Sequence, residues 1–115
     1  MSSLPNGAEN PAHKQNLCLA IKSHRLIQFT AEDMPGLRFL APHAVYRGTN
    51  GKLCVTGYQL SGPRALMRDD DFLTLELGRL SVVSMTSYRF SPHPTFTSSG
   101  RKYEGGVICA VDRSR

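Results

Sequence analysis

Hydrophobic and polar positions change their rhythm several times along the chain. From Lys14 the apolar residues Leu17, Ala20 and Ile21 recur at steps of three and four, with Cys18 beside them. That spacing predicts a short helix over about Lys14 to His24, one that needs packing against a sheet to persist. In RLIQFTA, residues 25–31, the rhythm becomes strict alternation, with Ile27 and Phe29 on one face and Gln28 and Thr30 on the other. This predicts a half-buried strand. EDMPG follows and reads as a Pro-Gly turn. RFLAPHAVYR, residues 38–47, is apolar but carries Pro42, which predicts two short strands or one bent edge strand.

GTNG, residues 48–51, is a hairpin turn, and KLCVTGYQL is the returning strand. Both faces of that strand carry apolar groups, which predicts a central position, and Gly57 within it predicts a bulge or bend. Residues 61–71 read as a loop, its Asp69-Asp70-Asp71 run as an exposed acidic stretch and not a metal site. Leu73, Leu75 and Leu77 alternate with Thr74 and Glu76. Strict parity places Arg79 on the leucine face, where an unpaired arginine is costly. Gly78 is therefore expected to bend the strand and re-aim Arg79, unless Arg79 meets an anion or a carboxylate. A further strand runs through Val82, Val83 and Met85. SPHPTFTSSG is a second loop, and Val107 to Val111 a last strand. One helix followed by five or six short strands predicts a mostly β fold, a small β-barrel capped by a helix. Residues 1–13 read as a flexible tail, 14–92 as the domain, and 93–115 as a C-terminal extension with one strand.

The 115 residues carry a net charge of +5, and ten of the 14 basic residues are arginine. This tilts the chain toward anionic partners such as nucleotides or nucleic acid. Three cysteines, Cys18, Cys54 and Cys109, lie far apart without a Cys-x-x-Cys pair. They read as buried thiols, neither a disulfide framework nor a zinc site. No apolar run is long enough to span a membrane and the N-terminus has no secretion-signal pattern, so the expected location is cytoplasmic. No nucleophile elbow, zinc-protease helix or phosphate loop occurs, which points away from an enzyme. His43, next to Pro42, is a candidate pocket residue. Arg38, Tyr58 and Arg79 sit at strand boundaries or in a glycine-disturbed strand. Two guanidinium groups and an aromatic ring form a candidate anion site.

The order AIKSHRLIQF, LRFLAPHAVYR, NGKLCVTGYQLSG, LTLELGRLSVV, from Leu17 to Phe90, resembles the WYL domain. The resemblance implies an Sm-like, SH3-type barrel behind a short helix. It also implies a bacterial regulatory module that senses negatively charged ligands, with nucleotide or single-stranded nucleic acid the leading candidates, and no cofactor. Arg38, Tyr58 and Arg79 fall at the matching arginine, aromatic and arginine positions. The naming triplet falls on Leu53-Cys54-Val55, without its aromatics; Gly78 replaces an acidic residue, and Glu76 reverses a basic one. The stretch before Leu17 is too short for a winged helix, so a free-standing module or one acting on a regulatory partner is expected. The alternative is a protein-interaction or self-assembling barrel whose ligand site has degenerated.

Overall fold

A computed structural model describes residues 10–111; residues 1–9 of the expected 1–13 tail and the last four residues lie outside it. Helix α1, Pro11–Ser23, starts three residues earlier than the apolar spacing suggests. Asn10 caps it by accepting the Ala12 N–H at 2.9 Å, and Pro11 occupies the first turn, where its missing N–H costs nothing. It ends at His24, whose left-handed backbone (φ 55°) returns its N–H to the carbonyls of Ala20 and Ile21.

The strands are β1 (Arg25–Ala31), β2 (Met34–Arg47), β3 (Leu53–Leu60), β4 (Phe72–Glu76), β5 (Leu80–Arg89) and β6 (Val107–Ala110). They form one antiparallel sheet in the order β4-β3-β2-β1-β5, with β6 paired to β2. The mostly β architecture with one helix is as expected. Among the described residues no pairing joins β4 to β5, so the sheet is not closed into the predicted barrel.

Two proline-containing stretches differ from their sequence reading. The β1–β2 reversal falls at Glu32–Asp33, with Ala31 opposite Met34, so Pro35 and Gly36 already belong to β2. Pro42 does not split β2. The last β1 partner is Leu40 and the first β6 partner is Ala44, so β2 is unpaired on that edge where Pro42 sits. The β2–β3 register shifts between Pro42 and Ala44, leaving His43 as the extra residue of a bulge. Gly57 lies opposite Pro42, and a Cβ there would collide with the Ala41 carbonyl oxygen. The 48–51 hairpin turn forms as expected, with Gly51 at φ 86°.

One face of the sheet packs on the helix. Leu17, Ile21, Ile27, Phe29, Val45, Val55 and Leu77 form its apolar centre, all 1% exposed or less. On the same side the structure corrects the cysteine expectation. Cys18 of α1 and Cys109 of β6 form a disulfide with Cα atoms 5.8 Å apart, and only Cys54 is a buried free thiol. The cause is topological: β6 pairs with β2 at Val45–Cys109, which brings a residue 91 positions away beneath the helix. No helix among the described residues is long and apolar enough to cross a membrane.

Candidate functional site

The opposite face carries aromatic and polar residues. Cross-strand partners share a face, so Ala41, Tyr58 and Phe72 project together, as do Ala44, Thr56 and Thr74 one step along. Tyr46 and Cys54 continue the row. Over this face folds the segment from Phe90 to Gly106, which brings His93, Thr95, Phe96, Lys102 and Tyr103.

His43 is fully buried at the centre of the cluster. Its ring lies 4.9 Å from Tyr58, 5.2 Å from Phe90 and 5.0 Å from Phe96. Nε2 accepts the backbone N–H of His93 at 3.0 Å, which leaves Nδ1–H to donate to the Ala41 carbonyl at 2.9 Å. Both ring nitrogens thus hold backbone, and the side chain pins the covering segment to the bulge. His93 stacks on Tyr58 with centroids 4.6 Å apart and planes 12° from parallel. Its Nδ1 receives the N–H and the hydroxyl of Thr95, at 3.3 and 3.0 Å, while Nε2 faces the Asp69 carboxylate at 3.2 Å. Burial, then the nearby Asp69 charge, raise the Tyr58 pKa above 10, so its phenol is neutral at pH 7.

Beside this core is a shallow recess of about 340 Å³ lined by Tyr58, Phe72, Phe96, Lys102, Tyr103, the Asp69 carboxylate and neighbouring threonines. Lys102 dominates it. Its ammonium lies 4.7 Å from the Phe72 ring centre and 5.7 Å from those of Tyr46 and Tyr103. It donates to the Thr74 hydroxyl at 2.9 Å. Desolvation lowers its pKa from 10.5, opposed in part by the charge of the neighbouring Cys54. Phe72 remains 37% exposed, a ring available to solvent at the rim. Beneath the lysine, burial and the adjacent Cys54 push the Tyr46 pKa up to about 12.

The structure brings together two of the four residues singled out from the sequence, Tyr58 and His43. Arg38 pairs with Phe29 and, three positions before Ala41 on an unbroken stretch of β2, projects from the opposite, helix-backed side. Its Nε is buried without a hydrogen-bond partner. Arg79 stands in the turn after β4, at the end of the strand remote from Phe72. The strand ends in a single 3₁₀ turn, Leu77–Arg79, and of the two expected remedies the carboxylates are the one seen: the guanidinium meets Asp33 and Glu32 of the first hairpin. It is therefore neutralised by carboxylates of the chain itself.

His93, Thr95, Lys102 and Tyr103 were not legible as site residues. They lie in a segment without periodicity, and the only local sign was His93 enclosed by two prolines. Among the described residues no three His, Cys, Asp or Glu side chains group as a metal site. Compared with family models, with curated proteins and with solved structures, the chain matches none.

Proposed function

We propose that the chain is a non-enzymatic binding module of the WYL kind, taking an anionic ligand with a ring system, a nucleotide or a short run of single-stranded nucleic acid, at the Lys102 recess. The observation that carries this is the Lys102 ammonium set among Phe72, Tyr46 and Tyr103 and open to solvent. An ammonium attracts phosphate, and an exposed ring stacks with any base, which is the combination used for sequence-tolerant binding of single strands. The net charge of +5 favours the same partners. The two histidines of the cluster hold backbone and ring contacts, which fits a binding role better than proton transfer. On this reading the module is the sensing part of a regulatory system, with Arg79 serving the first hairpin instead of the ligand.

Fluorescence polarisation with a labelled oligo-dT at low and moderate salt tests it. Binding is expected to weaken with salt and to fall at least fivefold in Lys102→Ala and in Phe72→Ala. Arg79→Ala is expected to bind as the unaltered chain does. Salt-insensitive binding, or Lys102→Ala binding at full strength, refutes the site.

A self-assembling or protein-binding sheet remains the second reading, and β5 favours it. Among the described residues this ten-residue edge strand pairs only with β1, and it exposes Val82, Met85 and Tyr88. Light scattering at rising concentration separates the two: self-assembly through β5 requires a mass that grows and that Val82→Lys reduces.

A further inference from the structure

The cover of the aromatic face is held at its two ends by different means. Its leading part is pinned through His43, which accepts the His93 N–H and packs on Phe96. Its trailing part, with Lys102 and Tyr103, runs into β6, the shortest strand of the sheet. That strand has four residues, pairs only with β2 among the described residues, and shifts its register between Val45 and Tyr46. Val107 and Ile108 stand 41% and 45% exposed, so little apolar burial holds the strand down. What fastens it is the bond from Cys109 to Cys18 of α1. That bond is open to approach. Both cysteines are half-buried, and they line a cleft of about 490 Å³ between α1 and β6 together with Ile21, Lys22, Ile108 and Ala110. Lys22 follows Cys18 by four positions, which places it on the same side of the helix. Cys54, the free thiol, is buried on the other face of the sheet and does not compete.

We propose that Cys18–Cys109 is a thiol–disulfide exchange site, and that its opening by a dithiol reductant releases the Lys102 side of the cover. A thiolate of the reductant attacks one sulfur of the pair from the cleft. The S–S bond breaks and its electron pair leaves on the other cysteine, which takes up a proton. The second thiol of the reductant loses its proton and attacks the mixed disulfide, so the reductant ends as a disulfide and both cysteines as thiols. The Lys22 ammonium favours the incoming and the leaving thiolate alike. Without the cross-link, β6 keeps three partners on β2 and the flanking backbone bonds from Arg47 N–H to Gly106 and from Val111 N–H to His43, each at 2.8 Å. Lys102 and Tyr103 then lose their downstream anchor, while His93 keeps its hold on His43. Exchange with a small disulfide closes the site again. The consequence for ligand binding rests on the reading of the Lys102 recess as a binding site; the exchange and the loosening of the cover do not.

Dithiothreitol added to the folded full chain tests the proposal, with alkylation and mass spectrometry to follow Cys18 and Cys109 and limited trypsin digestion to follow the cover. Both thiols are expected to appear without denaturant. Cleavage after Arg101 and Lys102, in the turn ahead of β6, is expected to accelerate about tenfold or more, because proteolysis reads the population of locally opened chain. Hydrogen exchange is expected to rise more over residues 101–110 than around His93. Oxidised glutathione is expected to restore the original cleavage rate. A bond that opens only in denaturant, or one whose opening leaves the trypsin rate unchanged, overturns the proposal. Reduction is also expected to weaken oligo-dT binding about fivefold or more. An oxidised chain that binds no oligo-dT, with a trypsin rate that still follows the bond, refutes the recess as a binding site and supports the switch alone. Binding that reduction leaves unchanged overturns the switch.

Discussion

The two faces of the sheet are built on opposite rules. The helix-backed face is aliphatic, interdigitated and closed, and α1 and the Cys18–Cys109 bond hold its cover in place. The other face is covered by an irregular segment through aromatic rings, histidine-to-backbone hydrogen bonds and one lysine. Burial on the first face is non-directional, so many apolar side chains would fill it. Contacts on the second are directional and leave Phe72 and Lys102 at the surface. The first face makes the fold, and the second spends some of that stability on a surface that can receive something.

Equivalent truncations on the two faces should therefore differ several-fold, and the largest loss should come from the helix side. Phe29 is fully buried among Ile27, Leu40 and Val83. Phe29→Ala is expected to cost about 3–5 kcal/mol in urea unfolding, the range for an aromatic removed from a closed core. A loss below about 1 kcal/mol would break the distinction between the faces.

Next in size is the disulfide, which joins the helix to the strand that follows the covering segment. A cross-link spanning 91 positions removes unfolded-chain entropy worth about 4–5 kcal/mol, and measured losses fall at about 2–5 kcal/mol. Replacing both cysteines by alanine is expected to cost that much. Hydrogen exchange should rise first in β6 and in the segment over Tyr58, ahead of β1 and β2. Uniform exchange throughout would mean that the covering segment is held without the bond.

The same division decides how much could be read from the sequence. Regular spacing revealed α1 and β1, because each prints a period on the face it buries, while β3 showed as a continuous apolar run and the 48–51 turn as an Asn-Gly pair. Gly78 and Arg79 were legible because a guanidinium on a leucine face demands a remedy. Other readings lacked partner information. Pro42 was expected to split β2 or to bend an edge strand; the bend is there as the bulge at His43, but the strand is continuous and lies inside the sheet, which depends on where β1 ends and β6 begins. Cys18 and Cys109 looked like separate thiols, since only the β2–β6 register brings them together. The expected barrel needed β4 to pair with β5, and neither strand carries a signal of which edge it meets. Arg38 and Tyr58 were joined as one site by proximity to strand ends, yet their parity on β2 and β3 places them on opposite faces. His93, Lys102 and Tyr103 had no pattern at all, because residues that cover a sheet irregularly repeat nothing.

A smaller effect is expected on the second face. Phe72 is partly exposed, and Phe72→Ala is expected to cost about 1 kcal/mol of stability, well below the loss for the same substitution at position 29. A stability loss equal to that of Phe29→Ala would show the aromatic face to be a second closed core.

The finest test concerns protons beneath the lysine. Burial, then the neighbouring Cys54, raise the Tyr46 pKa from 10.0 to about 12, so the folded chain holds that proton more tightly than the unfolded chain. The resulting stability is fully present below pH 10 and is lost as pH rises from 10 to about 12. Lys102 acts in the opposite sense, because its folded pKa lies below 10.5. Between that lowered value and 10.5 the unfolded lysine binds the proton more strongly, so rising pH favours the fold across that window. Absorbance of ionised tyrosine, followed to pH 12 in the folded protein, should show a late component that Tyr46→Phe removes. If Tyr46 instead ionises near pH 10, water reaches the ring, and the Lys102 recess is an open surface without a desolvated floor.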